Sequence, residues 1–174
     1  MAAGEELKIA LGMNASLIVE GTVFGNVKDV TLNLSRSTAD VTTRENGGWR
    51  ANVGTLREAT VSFQAVVSYG ANVSDYNLFL EQYLGDATTK FIGVAVLDRS
   101  KKDGGQGPVA DWSVTSCNRS EALEDAVTYD IELSVVKFYG WADFTSGENT
   151  PEGLPDDAGQ DVTNRWNTIL GLTT

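Results

Sequence analysis

Hydrophobic and polar positions alternate along most of this chain. In residues 27–35 the apolar side chains of Val30, Leu32 and Leu34 are separated by polar ones. Two further segments have the same period, with apolar positions at Ala59, Val61, Phe63, Ala65 and Val67, and at Val127, Tyr129, Ile131, Leu133 and Val135. Such alternation is typical of strands that bury one face and expose the other. Shorter candidate strands lie at 15–19, 90–97 and 109–116.

One segment, at 74–84, has a helical period instead. Its apolar side chains recur at intervals of three and four residues: Tyr76, Phe79, Leu80, Tyr83 and Leu84. This spacing predicts an amphipathic helix. Strands, one helix and more strands favour a mainly β, antiparallel fold, a β-sandwich or open barrel with one packed α-helix.

The chain divides by composition near residue 138. We expect a β domain over 1–138 and an acidic C-terminal extension over 139–174, which has six acidic residues and one basic residue. A short helix near 157–170 would use Trp166, Ile169 and Leu170 as apolar anchors. Two interpretations of the extension stay open: it docks on something, such as a neighbouring subunit, or it is a partly disordered tail.

A long connection is predicted at 38–58, between two candidate strands. Most connections have about 4–6 residues, so a loop of about twenty residues needs a function. Its central sequence, DVTTRENGGWRANVGTLREA, contains Trp49 and several arginines. Either the loop folds back and places Trp49 in its own core, or it reaches a partner.

Charge and composition narrow the functional classes. The 174 residues include 13 basic and 24 acidic side chains and no histidine, for a net charge of −11. An acidic surface disfavours binding to nucleic-acid phosphates, and the commonest general base is missing. No catalytic motif is found, and we predict no catalytic residue, metal or cofactor. The N-terminus has no signal-peptide pattern and no apolar run approaches the ~20 residues of a membrane span, so we expect the chain to be intracellular when it is made.

Four motifs in sequential order resemble the major tail, or tail tube, protein family of long-tailed bacteriophages. They are Leu32-Asn33-Leu34, Asp40–Arg44, Asn46–Arg50 and Thr55–Ala59. The resemblance continues into residues 109–133 and covers roughly 10–138. The segment after residue 139 departs from the plainest family members.

The resemblance implies a structural subunit without enzymatic activity, in a fold related to type VI secretion tubes. It further implies stacked, hexameric rings that form a hollow conduit for DNA in the virion tail, assembled in the host cytoplasm. The implied partners are other copies of the chain, a tape-measure protein, and tail tip and terminator proteins, while DNA passes without specific binding.

The resemblance also implies a ring-stacking role for the loop at 40–58. The candidate interface residues are Asp40, Thr43, Arg44, Asn46, Trp49, Arg50 and Arg57. Because an acidic lumen would repel DNA phosphates, three carboxylates on predicted polar strand faces are candidates for its lining: Asp29, Asp130 and Glu132. The alternative is that these three are ordinary solvent-facing side chains.

Other functions stay open at this point. The chain could be another tail component with the same fold, such as a terminator, baseplate or injection-tube relative. It could also be a soluble β-domain that binds a carbohydrate or a peptide, or an enzyme that uses only aspartate and glutamate.

Overall fold

The structure, a computed structural model, describes residues 15–67, 73–86, 88–121, 126–147 and 151–172. It contains seven strands: β1 Ser16–Val19, β2 Thr22–Val23, β3 Val27–Asp40, β4 Asn52–Val66, β5 Ile92–Leu97, β6 Gln106–Ser120 and β7 Thr128–Asp143. Two α-helices complete it: α1 Val73–Leu84 and α2 Gln160–Leu170. The strands are hydrogen-bonded in the order β2-β1-β5-β6-β7-β4-β3, and the strand pairs with assigned registers are antiparallel. The mainly β, antiparallel fold with a packed helix is confirmed.

The contacts divide the chain into two compact units. The described residues of the first unit are 15–25, 92–112, 136–147 and 151–172. Those of the second are 26–67, 73–86, 88–91, 113–121 and 126–135. Each unit has buried apolar side chains of its own.

The first unit is built around β1, β5 and α2. Its core consists of Ile18, Ala95, Leu97, Val109, Tyr139, Ala142, Phe144, Trp166, Ile169 and Leu170. A two-residue turn, Glu20-Gly21, joins β1 to β2 with both φ angles positive, at 46° and 83°. Such turns match the twist of the strands that they connect. A side chain at Gly21 would also collide with α2, because its Cβ would lie 2.9 Å from the Thr168 carbonyl oxygen.

The second unit contains the strands whose alternation is clearest in the sequence. Ala59, Val61, Phe63 and Ala65 of β4 are buried, as are Tyr129, Ile131 and Leu133 of β7. The two strands pair directly, with Val61 opposite Leu133 and Phe63 opposite Ile131. The predicted inward faces of these segments are therefore confirmed at those positions.

Helix α1 lies where the sequence predicts it, but the residues on its buried face are not all the predicted ones. Phe79 is fully buried and its ring contacts Phe63 edge-on at 5.5 Å between centroids. The predicted apolar positions Tyr83 and Leu84 are exposed, while Gln82 is buried. The Gln82 amide donates to the Lys90 carbonyl (2.6 Å) and accepts from the Val114 N–H (2.8 Å). The helix therefore buries this polar side chain because it supplies hydrogen bonds to two backbone groups. The Tyr76 side chain lies outside the described residues.

The long connection predicted at 38–58 is shorter in the structure. Strand β3 continues to Asp40 and β4 begins at Asn52, which leaves residues 41–51 between them. Thr55 and its neighbours were expected in the loop but belong to β4. The prediction was wrong at both ends because exposed strand residues carry no alternating pattern from which a strand is recognised.

Residues 151–172 pack within their own chain. Trp166, Ile169 and Leu170 are buried on one side of α2, against the core of the first unit. The predicted helix with these three anchors is confirmed. Helix α2 is therefore docked and is not a disordered tail, and the surface that its apolar face covers belongs to its own chain. Strand β7 also continues to Asp143, past the predicted boundary at residue 138.

Neither α1 nor α2 is long and apolar enough to cross a membrane, and no other described segment is such a helix.

Candidate assembly surfaces

The β3–β4 hairpin extends beyond the rest of its sheet. Strand β4 pairs with β7 over Thr60–Val66, whereas residues 52–59 of β4 pair with β3 in the assigned registers. We call residues 34–58 the arm. An isolated two-stranded ribbon is marginally stable in water, so this segment lacks the support that a third strand gives.

Apolar side chains on the arm are exposed. Trp49 is 81% exposed and Leu56 is 73% exposed. Leu34 was expected to face inward but is 59% exposed, because β3 has left the buried part of the sheet at that point. The alternative in which Trp49 lies in its own core is wrong. Large exposed aromatic and aliphatic side chains on one projection are typical of an interaction surface.

The tip of the arm is closed by hydrogen bonds around Asp40. Its carboxylate accepts from the Thr42 hydroxyl (2.5 Å), from the Thr42 N–H (2.9 Å) and from Arg50 Nε (3.0 Å). The Thr42 hydroxyl in turn accepts from the Ala51 N–H at 2.9 Å. These bonds, those from Thr42 foremost, hold the pKa of Asp40 below its usual range. The pair with Arg50 is exposed and adds little stability, so the role of Asp40 is to shape the tip.

A short 3₁₀ turn, Arg44–Asn46, turns the chain at the tip. The Thr43 hydroxyl bonds the Asn46 side-chain oxygen at 3.0 Å, and the Asn46 carbonyl accepts from the Trp49 N–H at 3.0 Å. Gly47 and Gly48 follow with φ angles of 58° and 84°. These positions explain why the sequence has two glycines before Trp49: the backbone there is left-handed, and glycine adopts that conformation without strain.

Two arginines face each other on the arm. Arg36 of β3 lies directly opposite Arg57 of β4, and both are exposed. A Cβ on Gly54 would lie 2.5 Å from Arg36 Cδ, so the Arg36 side chain runs across the glycine. Among the described residues, neither arginine has an ion pair with a carboxylate.

The second unit also has a polar sheet face. Thr60, Ser62 and Gln64 of β4 lie opposite Ser134, Glu132 and Asp130 of β7. Gln64 Nε2 donates to Asp130 Oδ1 at 2.9 Å. We call these six residues the polar face. On β3, Lys28 lies opposite Gln64.

The three candidate lumen carboxylates lie close together. Asp29, Asp130 and Glu132 line one open depression of about 310 Å³, and all three are exposed. Asp29 lies in a β-bulge between Lys28 and Thr31 with a φ of 53°, a conformation in which aspartate is one of the tolerated residues. The structure thus brings the three together, and which way they face in an assembly stays a prediction. No group of three or more acidic or cysteine side chains in the described ranges could hold a metal ion.

A cluster of charged side chains joins α2 to the first unit. Arg165 bonds both oxygens of Glu20 (2.7 and 2.8 Å) and Oδ1 of Asp111 (2.6 and 2.9 Å). The Tyr139 hydroxyl donates to Asp111 Oδ2 at 2.5 Å, and the Gly93 N–H to Glu20 Oε1 at 2.6 Å. Burial opposes the charge of Arg165, but the two carboxylates outweigh it and raise the pKa of the guanidinium. These groups are paired with one another, so the cluster has a structural role: it holds α2 against the rest of the first unit.

The model of the phage tail tube protein family matches residues 6–137. The chain belongs to the phage tail tube protein family. It is a structural subunit of a tail tube and thus a component of the virion tail. The matched region contains the arm and the polar face, whereas α2 lies outside it.

Solved tail structures have a similar fold. A chain in the virion of a native gene transfer agent particle is 17% identical, with a TM-score of 0.57 over 74% of this tail tube protein and 97% of that chain. A chain in the tail of an empty gene transfer agent particle, refined with C6 symmetry, is 17% identical, with a TM-score of 0.53 over 69% and 90%. The SPP1 tail tube subunit is 13% identical, with a TM-score of 0.55 over 88% and 85%. A comparison with curated protein sequences gives no match.

Sequence reasoning missed two features of these surfaces. Arg36 was not among the candidate interface residues, although its position opposite Arg57 follows once the hairpin register is known. The charged cluster around Arg165 was also missed, because its partners Glu20 and Asp111 lie 145 and 54 positions away in the chain.

Proposed function

We propose that this tail tube protein assembles into hexameric rings that stack into a hollow tube, with the arm as the stacking element. The arm is the observation that carries the proposal. It projects from the sheet as a two-stranded ribbon, and Trp49 at its tip is 81% exposed. Covering such a ribbon with a second subunit would supply the contacts that its own subunit does not. The sixfold symmetry of the gene transfer agent tail supports a hexameric ring.

The other candidate interface residues fit this role in different ways. Asp40, Thr43 and Asn46 shape the tip by hydrogen bonds within the arm. Arg44 and Arg57 are exposed, and neither forms an ion pair among the described residues. Both side chains can therefore contact another chain. Arg50 is shared between both roles, since its Nε bonds Asp40 while its side chain stays 75% exposed.

We further propose that the polar face and Asp29 line the lumen. Carboxylates there repel DNA phosphates, and hydroxyl and amide groups have no positive charge to retain them. The positive charge of Lys28, opposite Gln64, is outnumbered by the three carboxylates. The closeness of Asp29, Asp130 and Glu132 around one depression supports a single acidic surface. In this account the protein acts without catalysis or cofactor, and DNA passes without specific binding.

The remaining partners are those that the resemblance to the family implies. A tube of defined length needs a protein that sets the length and proteins that close its ends, which are the expected tape-measure, tail tip and terminator proteins. Subunits would collect in the host cytoplasm before they assemble.

The arm is tested by removing it. Deletion of 42–50, with Val41 joined to Ala51, is expected to leave a folded subunit that forms no tubes, because the β-sheet cores lie outside the deleted residues. Trp49→Ala should raise the concentration needed for tubes, and Trp49→Phe, which keeps an aromatic anchor, should raise it less. Negative-stain microscopy and sedimentation measure both. Tubes of normal width from the deletion variant would refute the stacking role.

A further inference from the structure

The arm has a charge pattern that is unfavourable in an isolated subunit. Arg36 and Arg57 are directly opposite on neighbouring strands, and Cβ atoms in such pairs are about 5 Å apart. Like-charged side chains that lie directly opposite each other on paired strands destabilise that pairing. In the part of the chain that the structure describes, no third strand pairs with β4 beside Arg57, so no neighbouring strand offsets that repulsion.

The local structure shows where the Arg36 side chain lies. Gly54 has no side chain, so Arg36 can extend flat across the ribbon. A register shift between Arg36 and Thr38 places an extra residue in β4, and the Thr55 hydroxyl donates to the Ser37 carbonyl at 3.1 Å across it. The bulge is thus pinned beside the arginine pair, and bulges of this kind re-aim side chains.

We propose that Arg36 and Arg57 together form a binding site for a carboxylate of a second copy of this chain. This rests on the proposed ring stacking and deepens it by naming the two residues and the ligand chemistry. Two guanidinium groups supply several N–H donors to one carboxylate, a geometry that favours aspartate and glutamate. When a carboxylate binds, the repulsion between the two arginines would be replaced by an attraction between each arginine and the carboxylate.

Charge complementarity argues for another copy as the occupant. The arm has four arginines against three carboxylates, whereas the whole chain has 13 basic against 24 acidic residues. The arm is therefore the basic projection of an acidic protein. Identical subunits that meet head-to-tail present different surfaces to each other, and such contacts extend into filaments.

The neighbours of the arginine pair favour a protein over a nucleic acid. Leu34 and Leu56 are 59% and 73% exposed beside it. Interfaces with nucleic acids are more polar and more basic than this surface, while protein interfaces combine apolar anchors with arginine. DNA phosphate is therefore the alternative that the experiment has to exclude.

Charge reversal gives a test with opposite effects on subunit and assembly. Arg57→Glu places a glutamate opposite Arg36, which replaces repulsion by attraction within the arm. The melting temperature of the unassembled variant should equal or exceed that of the wild type. The concentration needed for tubes should rise at least about tenfold, or about 1.4 kcal/mol per subunit, and high salt should weaken wild-type assembly more than that of the variant. Arg36→Glu should act in the same way. Lys102→Glu, the same charge change at an exposed site away from the arm, is the matched control.

The outcomes separate this inference from the proposed function. If deletion of 42–50 prevents tubes and Arg57→Glu assembles like the Lys102→Glu control, the carboxylate site is refuted and the stacking role stands. If the deletion variant forms tubes, the stacking role itself fails. Fluorescence anisotropy with duplex DNA is expected to detect no binding at physiological salt. Binding that disappears in Arg57→Glu, with normal tube formation, would assign the pair to DNA and overturn the inference.

Discussion

At the scale of single residues, the charged side chains of the subunit lie in two different environments. In the first unit, Arg165 is enclosed by Glu20 and Asp111, and the side-chain exposures of the three are 28%, 31% and 12%. Removing charges from water is costly, and multiple short hydrogen bonds are what offset that cost here. In the arm, Arg36 and Arg57 have no such partners among the described residues. The paired cluster holds a fold together, and the unpaired one is available to a partner.

Tyr139 gives the paired cluster a signature in the pH dependence of stability. Burial, then the hydrogen bond to Asp111 and its negative charge, raises the pKa of Tyr139 from 10 to about 12. A raised folded-state pKa contributes stability that is complete below the unfolded value of 10 and is lost as the pH rises through about 12. We therefore expect the free energy of unfolding to fall between pH 10 and 12.

Denaturant titration across this pH range measures the effect. Tyr139→Phe should flatten the fall, and it should cost about 1–3 kcal/mol at neutral pH because Asp111 loses a donor. Tyr83→Phe, at an exposed position on α1, is the control and should keep the wild-type profile. An unchanged fall in Tyr139→Phe would refute the assignment.

At the scale of elements, the sequence predicts best where burial is strongest. The alternation around Val61 and Ile131 located β4 and β7 because one face of each is buried. The same rule failed in the arm, where both faces are exposed and no period remains to be recognised. It also failed for the inner face of α1, because Gln82 is buried for its hydrogen bonds and not for hydrophobicity.

Helix α2 shows a further limit of sequence reasoning. Its three apolar anchors were recognisable, but the surface they cover was not, since β1 and β5 lie far away in the chain. The candidate interface was found through resemblance to a family, and only the register revealed that Arg36 belongs beside Arg57.

The packing of α2 against its own chain can be tested by substituting one residue on its buried side and one on its exposed side. Ile169 is fully buried, and Ile169→Ala should reduce the free energy of unfolding by about 2–5 kcal/mol, the usual cost of such a cavity. Asn164→Ala, on the exposed side of the same helix, should change it by less than about 0.5 kcal/mol. Chemical denaturation of the unassembled subunit measures both. Equal, small effects would mean that α2 is a loosely attached extension.

At the scale of the whole molecule, the chain contains two compact units, and the arm extends beyond the paired part of β4 in the second of them. Each unit has its own buried apolar side chains, while the arm has exposed apolar and basic side chains and no third strand beside it among the described residues. In the proposed assembly, the net charge of −11 disfavours non-specific association of subunits, and the arm is the ribbon that contacts another copy.

A cryo-EM reconstruction of assembled tubes tests the central claim most directly. The account predicts sixfold rings in which the arm of each subunit packs on the next ring, with Trp49 and the Arg36/Arg57 pair in the contact and with Asp130 and Glu132 on the channel wall. Tubes in which the arm projects freely into solvent, and in which those carboxylates face outward, would contradict it.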